Sequence, residues 1–277
     1  RGEVMAWHLS KILAVEYIKN IIPDIRGAGV EETKEFSELK YLKKALKIYN
    51  YNSAFINLDK FNQLSAVSIS LKEYLVNKYK IDPVNIRITP SLAGPNFFFD
   101  RLQRTKFRSQ LNLSNDDFLV VFSSGGTANW QKNDIIKILA EKRIKILNLS
   151  KSKIEFKNVI NKFVSYSEVP FYLNAADVGI IWRDKSIVNK VASPVKFSEY
   201  VCCGLPVIAN DSVDMIKEYI KNNSCGLVID SLDDIDIDSL KQLKKIDRQA
   251  IAQTGLSNFG TEKIVDRYSQ IYSEIIK

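Results

Sequence analysis

The sequence of 277 residues has little histidine and little cysteine, and these scarcities exclude several kinds of site. His8 is its one histidine, so a zinc site, which usually needs several histidine or cysteine ligands, is not expected. The three cysteines are Cys202, Cys203 and Cys225, an odd number without a C-x-x-C pair. Such a set is no disulfide framework, and we therefore expect reduced, buried thiols in a cytoplasmic protein.

Long apolar runs are also missing from the sequence. It contains no stretch of about 18 apolar residues, which argues against a membrane-spanning helix. No basic segment followed by an apolar one opens the chain, so a secretory signal peptide is not predicted. The first residue is Arg1 rather than methionine, from which we expect that the N-terminus is cut or missing.

The balance of charge is basic, with 40 lysines and arginines against 32 aspartates and glutamates and a net charge of +8. Such a chain suits three kinds of partner: nucleic acid, an anionic membrane surface or a phosphate-rich substrate. The lysines are spread along the chain rather than clustered with aromatic residues, as a base-stacking surface requires. Nucleic acid is therefore the least favoured partner.

The hydrophobic pattern predicts an α/β fold. A chain with 45% hydrophobic and 26% charged residues is typical of a soluble globular protein, and its length allows one large domain or two ordinary ones. Short apolar runs alternate with helical patterns, which predicts βαβ units and parallel sheets. Residues 89–96 contain Pro90, Gly94 and Pro95 and are the best candidate for a linker between two domains.

The same pattern predicts elements on both sides of this linker. Before it, we expect strands over 20–24, 66–69 and 86–89, a long helix over 31–64 with a break near Asn52, and a helix opened by a capping box from Ser70 to Glu73. After it, we expect strands over 118–122, 145–149, 162–164, 178–182 and 207–209. The helices expected after the linker cover 133–141, 153–160, 169–175 and 261–277.

The most informative stretch of the chain is residues 193–209, SPVKFSEYVCCGLPVIA. Ser193 is a suitable N-cap and Pro194 suits the first helical position, while Gly204 fits the end of the helix. The start of a helix offers unpaired backbone N–H groups and a positive dipole end, so it can bind a phosphate. Lys196 adds a cation at this position, and Glu199 is a polar residue in an otherwise apolar helix.

This stretch resembles the C-terminal signature of the group 1 (family 4) glycosyltransferases, P-x-K-x-x-E-Y followed by G-x-P-V-I-A. The resemblance implies the GT-B fold, which has two Rossmann-like domains. Residues 1–92 would be an incomplete N-terminal domain on the acceptor side. Residues 93–258 would form a complete doubly wound parallel sheet that binds the nucleotide sugar, and residues 259–277 a helix that crosses back to the N-terminal domain.

The resemblance also implies an activity of the bacterial polysaccharide or lipopolysaccharide type. A sugar would pass from a nucleotide-diphosphate sugar to a glycan or lipid-linked acceptor, with retention of configuration and without a metal or other cofactor. The protein would be cytoplasmic, with peripheral contact to an anionic membrane suiting its basic charge. The main alternative is a catalytically silent GT-B domain that binds a nucleotide sugar or a partner enzyme.

Family positions transfer to particular residues of this chain. The expected donor-binding residues are Ser193, Pro194 and Lys196 at the diphosphate and Glu199 at the ribose hydroxyls, together with Gly125, Gly126, Lys132 and Val164. The expected catalytic residues are Asp24 and Arg26, which follow a predicted strand and would face the acceptor. Two departures favour the silent alternative: no arginine follows the glycine pair, and Val191 stands where many members have a second acid.

Overall fold

The computed structural model describes residues 2–125, 134–233 and 235–275, without the side chain of Val15. The chain forms two sheets in which every pair of neighbouring strands is parallel. The first sheet has three strands in the order β1-β2-β3, and the second has six in the order β6-β5-β4-β7-β8-β9. The expected α/β class with parallel sheets is confirmed.

The first sheet and its helices come from the N-terminal part of the chain. Its strands are β1 (Asp24–Ile25), β2 (Leu64–Ala66) and β3 (Ile86–Ile88). Its helices are α1 (Gly2–Leu9), α2 (Val15–Ile18), α3 (Gly29–Phe36), α4 (Tyr41–Ile56) and α5 (Ile69–Tyr79), with short 3-10 turns at Leu58–Lys60 and Pro83–Asn85. The register sets Asp24 opposite Ser65 and Ser65 opposite Arg87, so one polar residue from each strand lies in the same row of the sheet.

The second sheet is longer and is covered on both faces. Its strands are β4 (Leu119–Ser123), β5 (Lys145–Leu149), β6 (Val159–Asn161), β7 (Val178–Ile181), β8 (Val207–Ala209) and β9 (Gly226–Val228). Its helices are α6 (Arg101–Gln110), α7 (Asp134–Glu141), α8 (Val169–Ala175), α9 (Ile187–Lys190), α10 (Val195–Cys202), α11 (Asp214–Asn223), α12 (Ile237–Gln242), α13 (Arg248–Phe259) and α14 (Thr261–Ile275), with a 3-10 turn at Leu243–Lys245.

Alternate residues of β4 show why this sheet is doubly wound. Leu119 and Val121 belong to one buried cluster, whereas Val120 and Phe122 belong to another on the opposite face. A strand that is apolar on both faces must be covered by helices on both sides. The strand order reverses between β4 and β7, and a crevice opens at the carboxyl ends of the strands at such a switch point.

A group of arginines ties the second sheet to its helices. Asp177, just before β7, accepts hydrogen bonds from the Leu119 N–H at 2.8 Å and from the Arg108 guanidinium at 3.2 Å. Arg248 at the start of α13 donates to the carbonyls of Gly204 and Cys203 at the end of α10, both at 3.0 Å. These bonds satisfy carbonyls that the ends of helices leave unpaired.

The final helix returns to the first sheet. The Tyr268 hydroxyl of α14 lies 3.5 Å from the Ser65 hydroxyl of β2, and Glu274 pairs with Arg87 of β3 at 2.8 Å. The limits proposed for the domains, at residues 92 and 258, stay a prediction. In the described part of the chain, no helix combines the length and apolar character that crossing a membrane requires.

Several elements differ from the sequence-based expectation. The helix expected over 31–64 is in fact α3 and α4, interrupted between Phe36 and Tyr41 rather than near Asn52, and it ends before β2. The N-cap of α5 is Ser68, whose hydroxyl accepts the Leu71 N–H at 3.0 Å. The hydroxyl of Ser70, the expected cap, donates instead to Asp214 of α11 at 2.8 Å.

The region expected to be a helix over 153–160 and a strand over 162–164 is also different. The structure has a loop here, followed by β6 at Val159–Asn161 in place of the strand expected over 162–164. The Asn161 side chain pairs with both the N–H and the carbonyl of Ile154, and Asn158 donates to the carbonyls of Ala140 and Ile144. Asparagine side chains thus satisfy backbone groups that a helix would otherwise pair.

Gly179 of β7 provides a test of this packing. A Cβ atom there would lie 2.7 Å from Cε2 of the fully buried Tyr200 ring. We expect Gly179→Ala to lower the free energy of unfolding by about 1–3 kcal/mol, because the ring has no room to move. Urea denaturation measures the change, and Gly125→Ala is the control because no atom of the described residues lies within 4 Å of its Cβ position. Equal stability of the two variants would contradict this account of the packing.

Candidate functional site

The start of α10 lies where the two sheets approach each other. Pro194 is the N-cap, with φ −69° and ψ 122°, and the helix begins at Val195. The predicted N-cap role of Ser193 and first helical position of Pro194 are therefore wrong by one residue. The Ser193 hydroxyl instead accepts the N–H of Ser91, 102 residues earlier in the chain, at 2.9 Å. No side chain of the described residues caps α10, so the N–H groups of its first two residues can bind a ligand.

Glu199 is a fully buried carboxylate on the second turn of α10. Its Oε2 accepts a hydrogen bond from Nζ of Lys196 at 2.8 Å, whereas its Oε1 is buried without a hydrogen-bond partner among the described residues. Burial raises the pKa of Glu199, and the neighbouring Lys196 ammonium opposes that rise. A buried acceptor without a donor is costly, and this one is suited to a ligand hydroxyl.

A pocket of about 310 Å³, which we call the strand-end pocket, lies beside this ion pair. It is placed at the carboxyl ends of β4 and β5, at the edge where the strand order reverses. Three of the predicted donor-binding residues lie together in its wall: Gly125, Val164 and Lys196. The rest of its wall consists of Ser123, Ser124, Leu149, Phe163, Tyr166 and Val169.

Tyr166 lines the strand-end pocket, and Tyr200 bonds to a residue of its wall. Burial, and secondly the Glu199 carboxylate, raise the pKa of Tyr166 to about 12, so its hydroxyl stays protonated. The Tyr200 hydroxyl accepts the N–H of Ser123 at 2.9 Å, which holds the end of β4. The glycine loop therefore leaves the sheet from a fixed point. Gly126 and Lys132, the other predicted residues of this loop, lie outside the described residues.

A second pocket, of about 260 Å³, lies between the two halves of the chain, and we call it the cleft pocket. It contains Arg26 from the first half together with Ser193 and Pro194 from the start of α10. Predicted site residues from two distant parts of the sequence thus line one cavity. Its other lining residues are Gly27, Glu32, Arg183, Val188, Asn189, Ala192 and Val195.

Asp24 and Arg26 form a pair at the end of β1. Nη1 of Arg26 lies 3.6 Å from Oδ1 of Asp24, and the two side chains are 38% and 39% exposed. Asp24 also accepts the Ser65 hydroxyl at 2.9 Å, while Arg26 donates to the Thr89 carbonyl at 3.4 Å and to the Ser91 hydroxyl at 3.1 Å. Arg26 lines the cleft pocket, and Asp24 lies beside it without lining the pocket.

Val191, at the position where many group 1 enzymes have a second acid, has a structural role here. Its side chain is buried in the hydrophobic cluster of the first half. Its carbonyl accepts the Ser68 hydroxyl at 2.7 Å. This position therefore joins the two halves of the chain and presents no polar group to the cleft.

Sequence reasoning missed two features of the site. Ser91 was recognised only as part of a linker, yet it bonds to Arg26, Ser193 and Ser198. Arg183 was not singled out, although it follows a predicted strand and lines the cleft pocket. The signal that could have found Arg183 was its position at the carboxyl end of a strand, where ligands of parallel sheets bind.

Comparison with solved structures shows the fold. The structure of Anabaena HepE in complex with UDP is 13% identical, with a TM-score of 0.72 over 98% of this chain and 76% of that one. Sucrose-phosphate synthase from Thermosynechococcus elongatus is 15% identical, with a TM-score of 0.68 over 99% and 71%. WaaG, a glycosyltransferase involved in lipopolysaccharide biosynthesis, is 16% identical, with a TM-score of 0.60 over 92% and 74%. The chain thus has the fold of GT-B glycosyltransferases.

Comparison of sequences shows the family. No curated protein sequence matches this chain. The profile described as "Glucosyltransferase 3-like, C-terminal domain" matches residues 123–261, which is half of the chain and includes α10 and the wall of the strand-end pocket from Ser123 to Lys196. The protein therefore belongs to the glucosyltransferase 3-like family of glycosyltransferases.

Proposed function

We propose that the protein transfers a sugar from a nucleotide-diphosphate sugar to a glycan or lipid-linked acceptor. The observation that carries this proposal is the buried Glu199, whose Oε1 has no hydrogen-bond donor among the described residues. It lies beside the strand-end pocket and a helix start that no described side chain caps. The solved complexes of Anabaena HepE with UDP and with UDP-glucose support a donor of this class.

Each part of the donor has a suitable partner in this arrangement. The diphosphate lies against the first N–H groups of α10 and the Lys196 ammonium, while the ribose hydroxyls donate to Glu199. Val164 packs beside the nucleobase. As the diphosphate leaves, negative charge develops on it, and the helix start and Lys196 are already oriented to stabilise that charge. This supply of positive charge supports a mechanism that does not require a metal.

The transfer step itself requires little acid–base chemistry from the protein. In a retaining front-face reaction the bond from the anomeric carbon to the diphosphate oxygen breaks, and the acceptor oxygen bonds to that carbon from the same face. The acceptor proton passes to the leaving diphosphate. Arg26, in the cleft pocket, and Asp24 beside it position the acceptor, and the Asp24 carboxylate stabilises the positive charge that develops on the sugar ring.

The proposal extends to the pathway in which the protein acts. We place the protein among group 1 (family 4) bacterial enzymes, in polysaccharide or lipopolysaccharide assembly at the cytoplasmic face of a membrane. The fold shared with WaaG and the basic net charge support this placement.

A silent nucleotide-sugar-binding domain is the second candidate, and one observation favours it. The position of the family's second acid is Val191, which is used to join the two halves of the chain. Turnover separates the two candidates. The protein is first screened for thermal stabilisation by UDP, GDP, dTDP and CMP, since binding to the folded state raises the melting temperature. Release of free nucleotide from the matching nucleotide sugar then identifies an enzyme.

We expect Glu199→Gln to weaken nucleotide binding about tenfold or more, because a buried, charge-assisted hydrogen bond is lost. The same substitution should raise the free energy of unfolding at neutral pH. Since burial raises the pKa of Glu199, its charged form is disfavoured in the folded state, and its contribution to stability is lost as pH rises above the usual range for glutamate. Calorimetric titration and urea denaturation at acidic and neutral pH measure both effects.

The control for this experiment is Glu141→Gln, a change on the exposed end of α7 that should alter neither quantity. Unchanged nucleotide affinity in Glu199→Gln would refute its ribose role. A large loss of stability at neutral pH would show instead that the carboxylate is there to support the fold.

We expect Lys196→Gln to weaken binding of UDP about tenfold but to leave binding of uridine nearly unchanged, because the ammonium acts on the diphosphate. Glutamine keeps a donor for Glu199, and Lys162→Gln is the control, since it removes an exposed lysine. Affinities are measured by calorimetry. An equal loss of affinity for uridine and UDP would show that Lys196 does not act on the diphosphate. The requirement for a metal is tested separately: transfer that is lost in EDTA and restored by manganese would contradict a metal-independent reaction.

We expect Asp24→Asn and Arg26→Lys to lower the rate of transfer roughly 10–100-fold while nucleotide affinity stays near the wild-type value, because both residues act on acceptor position. Asparagine still accepts the Ser65 hydroxyl, so the end of β1 is preserved. Steady-state rates and calorimetric affinities are compared. Parallel losses in both would assign the pair to the donor site, and no loss in either would make it a structural contact.

A further inference from the structure

Arg183 follows β7 and lines the cleft pocket opposite Arg26. Its Nη1 donates to Oδ1 of Asn189 at 3.2 Å. A guanidinium has five N–H donors, and within the described part of the chain this is the one hydrogen bond that the group makes. Arg183 thus brings into the pocket a cation whose hydrogen-bonding capacity is mostly unused.

No described carboxylate forms an ion pair with this cation, although Glu32 lines the same pocket. Burial lowers the pKa of Arg183 to about 10, and no neighbouring carboxylate counteracts that effect. Arg108, in contrast, is buried but pairs with Asp177 and donates to three backbone carbonyls. Arg183 is half-buried, and a partly desolvated cation without a counter-ion is costly for folding. Such groups are concentrated at binding sites.

The surrounding residues hold Arg183 in place. Its backbone carbonyl accepts the Asn210 amide at 2.6 Å and the Ser212 hydroxyl at 2.8 Å, which fixes the chain after β7. Asn189, its side-chain partner, is fully buried and donates to the Asp184 carbonyl at 2.9 Å. The guanidinium is therefore oriented before any ligand arrives, as a binding group should be.

The position of the cleft pocket separates it from the strand-end pocket. Lys196 lines the strand-end pocket, whereas Val195, the preceding residue, lines the cleft pocket, so the start of α10 lies between them. The other arginine of the cleft pocket, Arg26, belongs to the first half of the chain. Two guanidiniums from different halves thus face one cavity, and their planar pairs of N–H groups match the oxygens of a carboxylate or a phosphate.

We propose that the cleft pocket binds a second anionic group, a carboxylate or a phosphate, and that Arg183 selects substrates that carry it. The group belongs to the transferred sugar, as in a uronic acid, or to the acceptor, as in a sugar phosphate. It is distinct from the donor diphosphate, whose placement at Lys196 rests on the function proposed above.

The experiment uses wild type, Arg183→Gln and Arg183→Lys. Lys185→Gln is the matched control, because it removes an exposed cation two residues away. In the first arm, calorimetry compares the affinities of UDP-glucuronate and UDP-glucose. In the second arm, glucose 1-phosphate is titrated into the nucleotide-free protein and into the protein saturated with UDP. Melting temperatures confirm that each variant is folded.

We expect Arg183→Gln to remove a preference of about tenfold or more in one arm, Arg183→Lys to retain part of it, and the control to retain all of it. An Arg183-dependent preference for UDP-glucuronate identifies the transferred sugar as the source of the anion. Arg183-dependent binding of glucose 1-phosphate in the presence of UDP identifies the acceptor.

Two results would overturn the proposal: neither arm depends on Arg183, or UDP abolishes binding of glucose 1-phosphate, which would make the cleft pocket the diphosphate site. Failure of all four screened nucleotides to bind would contradict the proposed function instead. In that case the nucleotide-free titration still decides whether Arg183 binds an anion, so the two failures are distinguishable.

Discussion

The relation between the two halves of the site depends on Ser91, a single linker residue. Its hydroxyl accepts Arg26 from the first half, its N–H donates to Ser193, and its carbonyl accepts the Ser198 hydroxyl of α10 at 2.6 Å. These bonds use every polar atom of the residue. This short network therefore fixes the position of Arg26 relative to the start of α10. Arg26 lines the cleft pocket, and the start of α10 contributes residues to both pockets.

The buried Glu199 illustrates a conflict between folding and binding. Burial opposes its charge, and Lys196 offsets that effect through only one of the two carboxylate oxygens. A chain selected for stability alone would place an apolar residue here, as it does at the buried Phe197 and Val201 of the same helix. Local violations of the usual rules of burial are expected where a site must act on a ligand.

Much of the second sheet could be predicted from local sequence, because strands such as β7 and β8 are runs without a polar side chain between helical segments. Details of the site that depend on distant contacts could not. Ser193 has the local signature of an N-cap, yet its hydroxyl pairs with Ser91, and Ser70 is likewise drawn to Asp214. The local preference of a hydroxyl is too weak to exclude a partner 100 or more residues away, so its hydrogen-bond partner depends on the folded structure.

Val191 and Arg183 together show how this cleft differs from the pattern of the group 1 signature. An acid at position 191 would have to be buried in the apolar cluster of the first half, where Val191 packs and where Ser68 already binds its carbonyl. The contact between the halves therefore leaves no room for a carboxylate that could accept sugar hydroxyls. The cleft pocket holds two cations, Arg26 and Arg183, which can only donate, beside the carboxylate of Glu32. A cleft that has guanidinium donors where the family has an acid favours substrates that carry carboxylate or phosphate groups.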